Sequence, residues 1–379
     1  MAVAIPNFPI CHKQNNAIQK HIILIWLFTT LSLLLISSLT QAQPEQSTVP
    51  VNNHASILVY HHVSEATPPA TSVSPTTFES HLAYLKQHHT VLPLDTIVNA
   101  IKSRSPLPDK AVAITFDDGY RNILENAHPL LKSYGMPYTI FVNTQTVGSR
   151  KNLLTWDELN EMRKDNVLIA NHYTTHQHML FKAENQSEEQ WYEQHRSNII
   201  LAEQQLIAHL GTSPKLIAYP YGEFNQTLES LVLELDIVGF GQHSGAVSSL
   251  SNMAALPRFP AAGIYSNLKT LQVKLNSLAM PITQNSIVEP ELQSSGITPD
   301  WRMTIETNDL YPSQVSCFYN SSTLETQWEN NQVQITLPET LPKGRSRINC
   351  TAPSKTKKGR YYWYSQPFFV PNDDGSWPE

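Results

Sequence analysis

From residue 54 to about 278, short apolar runs alternate with stretches whose apolar residues recur at helical spacing. That alternation is the signature of a parallel sheet wrapped by helices. Strands are predicted at 57–60, 111–116, 138–142, 167–170, 216–219 and 237–240, with helices between them. The clearest helix starts are Ser74-Pro75, with proline at the first helical position, and Thr155-Trp156-Asp157-Glu158, which has capping-box spacing. A long polar helix is predicted over 187–210. Residues 281–299 mix proline, serine and other polar residues without periodicity, which predicts a linker. Beyond it, segments 301–307, 315–319, 332–337, 347–351 and 360–370 are short, rich in aromatic or β-branched residues, and separated by turn formers. This texture predicts a small antiparallel β-sandwich over 300–379. Tyr361, Tyr362, Trp363 and Tyr364 fall within it, and because alternate strand positions face opposite sides, core and interdomain packing is preferred over a sugar-stacking platform.

The N-terminus carries Lys13 and Lys20, an apolar run over 22–36, then Ser37, Ser38 and Thr40-Gln41-Ala42, which suits signal peptidase. Residues 1–42 therefore read as an export signal, with an uncleaved membrane anchor as the alternative because the run is nearly long enough to span a bilayer. Residues 43–53 form a polar lead-in, and the first domain is placed over 54–280. Cleavage would remove Cys11 and leave Cys317 and Cys350, an even pair in an oxidising compartment. A disulfide is the simple inference, two buried thiols the alternative. The formal net charge is -6, and no run of lysine or arginine is long enough for a phosphate-binding surface, so nucleic acid is excluded as a partner.

Chemistry concentrates where the predicted strands end. Thr115-Phe116-Asp117-Asp118-Gly119-Tyr120 sets two adjacent carboxylates directly after an apolar strand. Adjacent ionised carboxylates repel unless something positive sits beside them, and a cation is the usual answer, although Asp-Gly is also a common turn pair. His172 and His176 follow another strand, and a spacing of four can bring two imidazoles to one side of a helical turn, as metal binding requires; His178 is close by. Tyr219-Pro220-Tyr221-Gly222 could hold a rigid loop with a backbone N–H directed into a cleft, or make an ordinary turn. Tyr60-His61-His62 adds a further imidazole. All four groups sit at C-terminal strand ends, the face on which α/β barrels carry their active sites.

These residues resemble the polysaccharide deacetylases of carbohydrate esterase family 4, which share the NodB homology fold, over roughly 54–278. The resemblance implies a distorted (β/α) barrel, here with a C-terminal all-β sandwich. It implies Asp117 as general base, Asp118, His172 and His176 as ligands of a divalent metal, Zn²⁺, and an N-acetylglucosamine polysaccharide as substrate. Three departures stand out. Tyr173 replaces the family's serine or threonine after the first ligand histidine. The family's Arg-Pro-Pro-Tyr-Gly string reads Ala218-Tyr219-Pro220-Tyr221-Gly222, without the arginine that orients the base; Arg258 is a candidate substitute, with a plain surface salt bridge as the equal alternative. No late Leu-x-His element is evident, and Tyr60-His61-His62-Val63 instead resembles the rearranged branch that includes poly-β-1,6-N-acetylglucosamine deacetylases, which puts His61 in the place of the catalytic acid. Tyr219 and Tyr221 are grouped with Arg258 as residues facing substrate or oxyanion. The competing functions are a non-catalytic glycan-binding protein that keeps the fold and a metal-dependent carbohydrate ester hydrolase.

Overall fold

The computed structural model describes residues 53–378; the predicted export signal or anchor, Cys11 and nearly all of the lead-in lie outside them. Among the described residues no helix is long and apolar enough to cross a membrane. Nine strands make the first sheet: β1 (Ala55–Tyr60), β2 (Thr90–Val91), β3 (Ala111–Phe116), β4 (Tyr138–Val142), β5 (Val167–Asn171), β6 (Leu216–Ala218), β7 (Val238–Phe240), β8 (Ala246–Val247) and β9 (Phe259–Pro260). Their order is β8-β1-β3-β4-β5-β6-β7, with β9 also on β1 and β2 on β3. Pairing is parallel from β1 through β7, and β8 runs antiparallel. The sheet curls until its edges are joined by one narrow seam. Leu256 bridges to Phe240 of β7, and three residues on, Phe259 and Pro260 pair with Leu58 and Val59 of β1. The alternating pattern predicts the parallel sheet and its helices, and the curl makes it the distorted barrel that the resemblance implies.

Every residue of β1 and β3 is buried, which is why these strands read as unbroken apolar runs. On the outer face, Leu58, Ile114, Phe116, Ile140 and Val142 pack against Phe78 and Leu82 of α1 (Pro75–His88), Leu131 of α3 (His128–Tyr134), Leu159 of α4 (Trp156–Arg163) and Leu271 of α7 (Leu268–Leu275). On the inner face, small side chains such as Ala113, Ala170 and Ala218 allow the tight curl, and α2 (Leu94–Lys102) packs Leu94, Ile97, Val98 and Ile101 against them. The caps form as predicted. Ser74 accepts from the Thr77 N–H with Pro75 at the first helical position, and Thr155 and Glu158 close a capping box at α4. A second capping box, Ser187 with Gln190, starts α5 (Glu188–Leu210). Helix α6 (Gln226–Glu234) follows the β6 loop.

Two sheets follow. One has the order β10-β18-β17-β13-β14 and the other β11-β12-β16-β15, from β10 (Leu278–Ala279), β11 (Ile282–Asn285), β12 (Trp301–Ile305), β13 (Ser316–Tyr319), β14 (Ser322–Thr323), β15 (Thr326–Glu329), β16 (Gln332–Ile335), β17 (Gly344–Pro353) and β18 (Tyr361–Val370). Trp301, Met303 and Ile305 of one sheet share a core with Cys317, Ile348, Cys350 and Phe368 of the other. Residues 281–299 are more than a linker, because β11 pairs with β12. The strand escapes a reading by pattern since Ile282-Thr283-Gln284-Asn285 lies at a sheet edge with none of its residues buried. Of the four aromatics, Tyr362 and Tyr364 join the sandwich core, Trp363 turns to the α/β part edge-on to Phe259 at 5.5 Å, and Tyr361 is 44% exposed. Cys317 and Cys350 face each other across β13 and β17, with Cα atoms 4.0 Å apart, and are bridged.

Candidate active site and metal centre

The ends of β1, β3, β5 and β6 converge on one cleft. Asp117 directly follows β3, and its N–H donates to the Tyr60 carbonyl at 3.0 Å, so the strand pairing carries on to the site itself. Its carboxylate is fully buried and gripped by Arg258: Nη1 to Oδ1 and Nη2 to Oδ2, both 2.7 Å. Arg258 is itself fully buried, anchored by Nε on the Gly241 carbonyl at 2.9 Å and by Nη1 on Thr115 Oγ1 at 3.2 Å. It is therefore not a surface salt bridge, and it gives Asp117 an arginine partner although the Tyr-Pro-Tyr-Gly string has none. Burial pushes the Asp117 carboxyl upward, but the guanidinium beside it, together with His172 and His61, outweighs that and holds it below the usual range.

Asp118 turns the other way. Its φ of +72° is in the left-handed region, as are those of Tyr173 at +69° and Tyr221 at +57°. Such backbone costs about 1–3 kcal/mol per non-glycine residue and clusters at functional sites, where the surroundings enforce it. Asp118 Oδ1 lies 3.2 Å from His172 Nε2 and 3.4 Å from His176 Nε2, and the three ligand atoms fall within 4.8 Å of one another. His172 is fully buried, with its N–H on the Val142 carbonyl and Nδ1 2.7 Å from the Ala218 carbonyl. A carbonyl can only accept, so Nδ1 carries a proton and a neutral ring offers its Nε2 lone pair to the cleft. Nε2 and Asp118 Oδ1 are both buried without an aligned hydrogen bond. Two acceptors that close need something positive between them. A proton is one answer: burial disfavours charge on His172, but the Asp118 carboxylate raises its affinity for one. A divalent cation is the other, and one carboxylate with two imidazoles is a donor set it accepts. The residues present fit such a group. Desolvation of its ring, with neighbouring His172 adding to it, lowers His176 to about 4 although the residue is partly exposed, and this favours the neutral form that can ligate.

The loop after β5 is bonded without the family's serine or threonine. Tyr173 takes a bond from its own N–H to Asn171 Oδ1 at 2.6 Å, its carbonyl accepts from the Thr144 N–H, and its hydroxyl meets His195 Nδ1 at 2.8 Å. His178 stacks on Tyr221, ring centroids 3.9 Å apart, and pairs through Nδ1 with Glu223 Oε2 at 2.8 Å. Glu223 is fully buried, and its only signal in the sequence is its place directly after the Tyr-Gly string. Tyr221 also meets His176 edge-on at 4.3 Å. Tyr219 needs correction as a substrate-facing residue, since its side chain is fully buried with its hydroxyl on the Ala254 carbonyl at 2.8 Å.

His61 and His62 part company. His62 is buried, stacked on Tyr120 at 3.8 Å, bonded to Asn122, and lowered by burial to about 4. His61 lies near enough that its charge would favour the ionised forms of Asp117 and Asp118.

A curled parallel sheet with this cleft at its C-terminal end defines a NodB-like fold, and comparison agrees. The polysaccharide deacetylase profile matches residues 104–239. The chain is 30% identical over 207 residues to YxkH of Bacillus subtilis, classed with the polysaccharide deacetylases, covering 53% of this chain and 69% of that one. It is 31% identical over 196 residues to the poly-β-1,6-N-acetyl-D-glucosamine N-deacetylase of Staphylococcus aureus, covering 49% of this chain and 67% of that one. The chain belongs to the polysaccharide deacetylase family. Among solved structures, the Streptococcus pyogenes deacetylase PplD superposes with a TM-score of 0.53 at 22% identity, covering 59% of this chain and 98% of that one. IcaB of Ammonifex degensii gives 0.52 at 20%, covering 59% and 98%.

Proposed function

We propose that this chain removes N-acetyl groups from an N-acetylglucosamine polymer, releasing acetate and leaving free amines. The observation that carries the reading is the pairing, in one cleft, of an arginine-held buried carboxylate with three convergent ligand atoms, two of them buried acceptors that lack a partner. Asp118, His172 and His176 would hold the metal, for which Zn²⁺ suits two imidazoles and a carboxylate. When bound, it supplies Lewis-acid polarisation of the acetyl oxygen and lowers the pKa of a water. Asp117, kept ionised by Arg258, takes the proton of the attacking water as general base. The Tyr221 N–H faces the developing oxyanion, and a protonated His61 passes its proton to the departing sugar nitrogen. Arg258 acts through Asp117 and does not touch substrate. A complete set of these groups favours catalysis over glycan binding alone.

The Staphylococcus aureus relative's name makes poly-β-1,6-N-acetylglucosamine the first polymer to try. The N-terminal apolar run and the disulfide both support export to the periplasm, cell envelope or exterior, and that run is the segment that would associate with a membrane. Residues 54–280 would carry catalysis, with 300–379 as a second module.

Acetate release from N-acetylglucosamine oligomers of several linkages tests the reading. Chelation should abolish it and added Zn²⁺ or Co²⁺ restore it. Asp117→Asn should lose turnover by about 10² to 10⁴ while metal stoichiometry stays near wild type. Full activity in protein confirmed free of metal, turnover of acetyl esters alone, or metal lost along with Asp117 would overturn it.

A further inference from the structure

Strand β17 turns alternate side chains to opposite faces. Ile348, Cys350 and Ala352 enter the core between the C-terminal sheets, whereas Arg345 and Arg347 leave from the other face and meet the α/β part. Arg345 Nη1 donates to the Tyr221 carbonyl at 2.7 Å, and its Cζ lies 5.6 Å from the centre of the Tyr221 ring. Arg347 makes the equivalent contacts elsewhere: Nη2 donates to the Tyr265 hydroxyl at 2.6 Å, with Cζ 5.3 Å from that ring.

The position of Tyr221 needs enforcing. It holds left-handed backbone without being glycine. Its ring stacks on His178 and meets His176 edge-on. Gly222 behind it leaves no room for adjustment, since a Cβ there would sit 2.7 Å from the backbone nitrogen of Gln242. From outside the α/β part, the guanidinium of Arg345 reaches this turn's backbone.

We infer that Arg345 is a positioning residue for the reaction, which makes the C-terminal sheets a working part of the catalytic cleft. The carbonyl that Arg345 holds and the N–H that faces the oxyanion flank the same Cα, so a donor fixed on one restrains the rotation that would swing the other away. The guanidinium also covers the ring against which His176 stands. The inference rests on the role given to Tyr221 above and adds to it what holds that residue in place. Arg345 is exposed, so its removal opens no cavity and strands no buried charge.

The test compares Arg345→Ala, Arg345→Lys and Arg347→Ala in the full, metal-loaded protein. Arg345→Ala is expected to lower kcat about tenfold, or about 1.4 kcal/mol, with KM, metal stoichiometry and Tm near wild type. Arg345→Lys, which can still donate to the carbonyl, should recover part of the loss. Arg347→Ala loosens the same strand at Tyr265 and should leave kcat unchanged. Amide hydrogen exchange of the peptide spanning 219–224 should quicken in Arg345→Ala and not in Arg347→Ala. Unchanged exchange, an unchanged kcat, or equal losses from the two alanine variants would overturn the inference. Wild-type protein that turns over no N-acetylglucosamine polymer would instead count against the proposed function, and the exchange comparison alone would then decide whether Arg345 holds the turn.

Discussion

Asp117 and Asp118 are neighbours in the chain, yet their surroundings are opposite in kind. A bidentate guanidinium occupies both oxygens of the first, while the second turns through left-handed backbone to meet two imidazoles. The same division separates His61 from His62. His62 is committed to Tyr120 and Asn122, which leaves His61 as the proposed acid. His61→Ala is expected to lose amide turnover by about 10² to 10⁴ and keep its metal, with His62→Ala losing much less. An activated ester, whose leaving group departs without a proton, should be far less sensitive to His61→Ala. Steady-state kinetics on both substrates decides it, and equal losses from the two variants would move the acid elsewhere. The carboxylates and histidines were legible because each sits in a short string at a strand end. Arg258 was legible only as a candidate, since it lies 141 residues from its partner and nothing local marks a buried pair. Tyr219 misled for a related reason: a residue in a functional string can serve through its backbone while its side chain packs.

At the scale of elements, the strands read correctly were those buried on both faces or alternating strictly. β12 shows the second kind, with Trp301, Met303 and Ile305 inward and Arg302 and Thr304 outward. Two-residue strands such as β2, β8 and β9 carry no period at all, and the polar edge strand β11 hid in what read as a connector. The disulfide ties β13 to β17 across a sequence separation of 33. In the loop-entropy account, replacing both cysteines by alanine should destabilise the C-terminal sheets by about 3 to 4 kcal/mol. Urea unfolding followed by Trp301 and Trp328 fluorescence should show the lower midpoint, and a midpoint equal to wild type would mean the bridge adds nothing to the fold.

For the whole molecule, the junction between the α/β part and the C-terminal sheets is where pH should act on stability. A cavity of about 360 Å³ there is lined by Glu229 of α6 together with Trp363 and Tyr364 of β18. Burial, with Glu289 adding to it and an Asn252 hydrogen bond opposing, raises Glu229 from 4.5 to about 7. An acid raised on folding favours the folded state while it is protonated, so this contribution is full below about pH 4.5 and is lost as pH rises through about 7. Glu229→Gln, neutral at every pH, should therefore match wild type near pH 4 and melt at a higher temperature than wild type at pH 8. Scanning calorimetry across that range would show it, and parallel Tm profiles for the two proteins would refute it. Sequence patterns could not reveal this junction, because it is built from residues that each belong to a different local rhythm.

The seam formed by Leu256, Phe259 and Pro260 makes the first and last parallel strands of the sheet near neighbours. On a ring, being early or late in the chain ceases to be a distance. A side chain issued beside β1 and one issued just past the final strand arrive over the same ground, so His61, from the opening of the fold, shares a cleft with Arg258, from its close. Where the ring is cut becomes a matter of chain bookkeeping, and the cleft is indifferent to it.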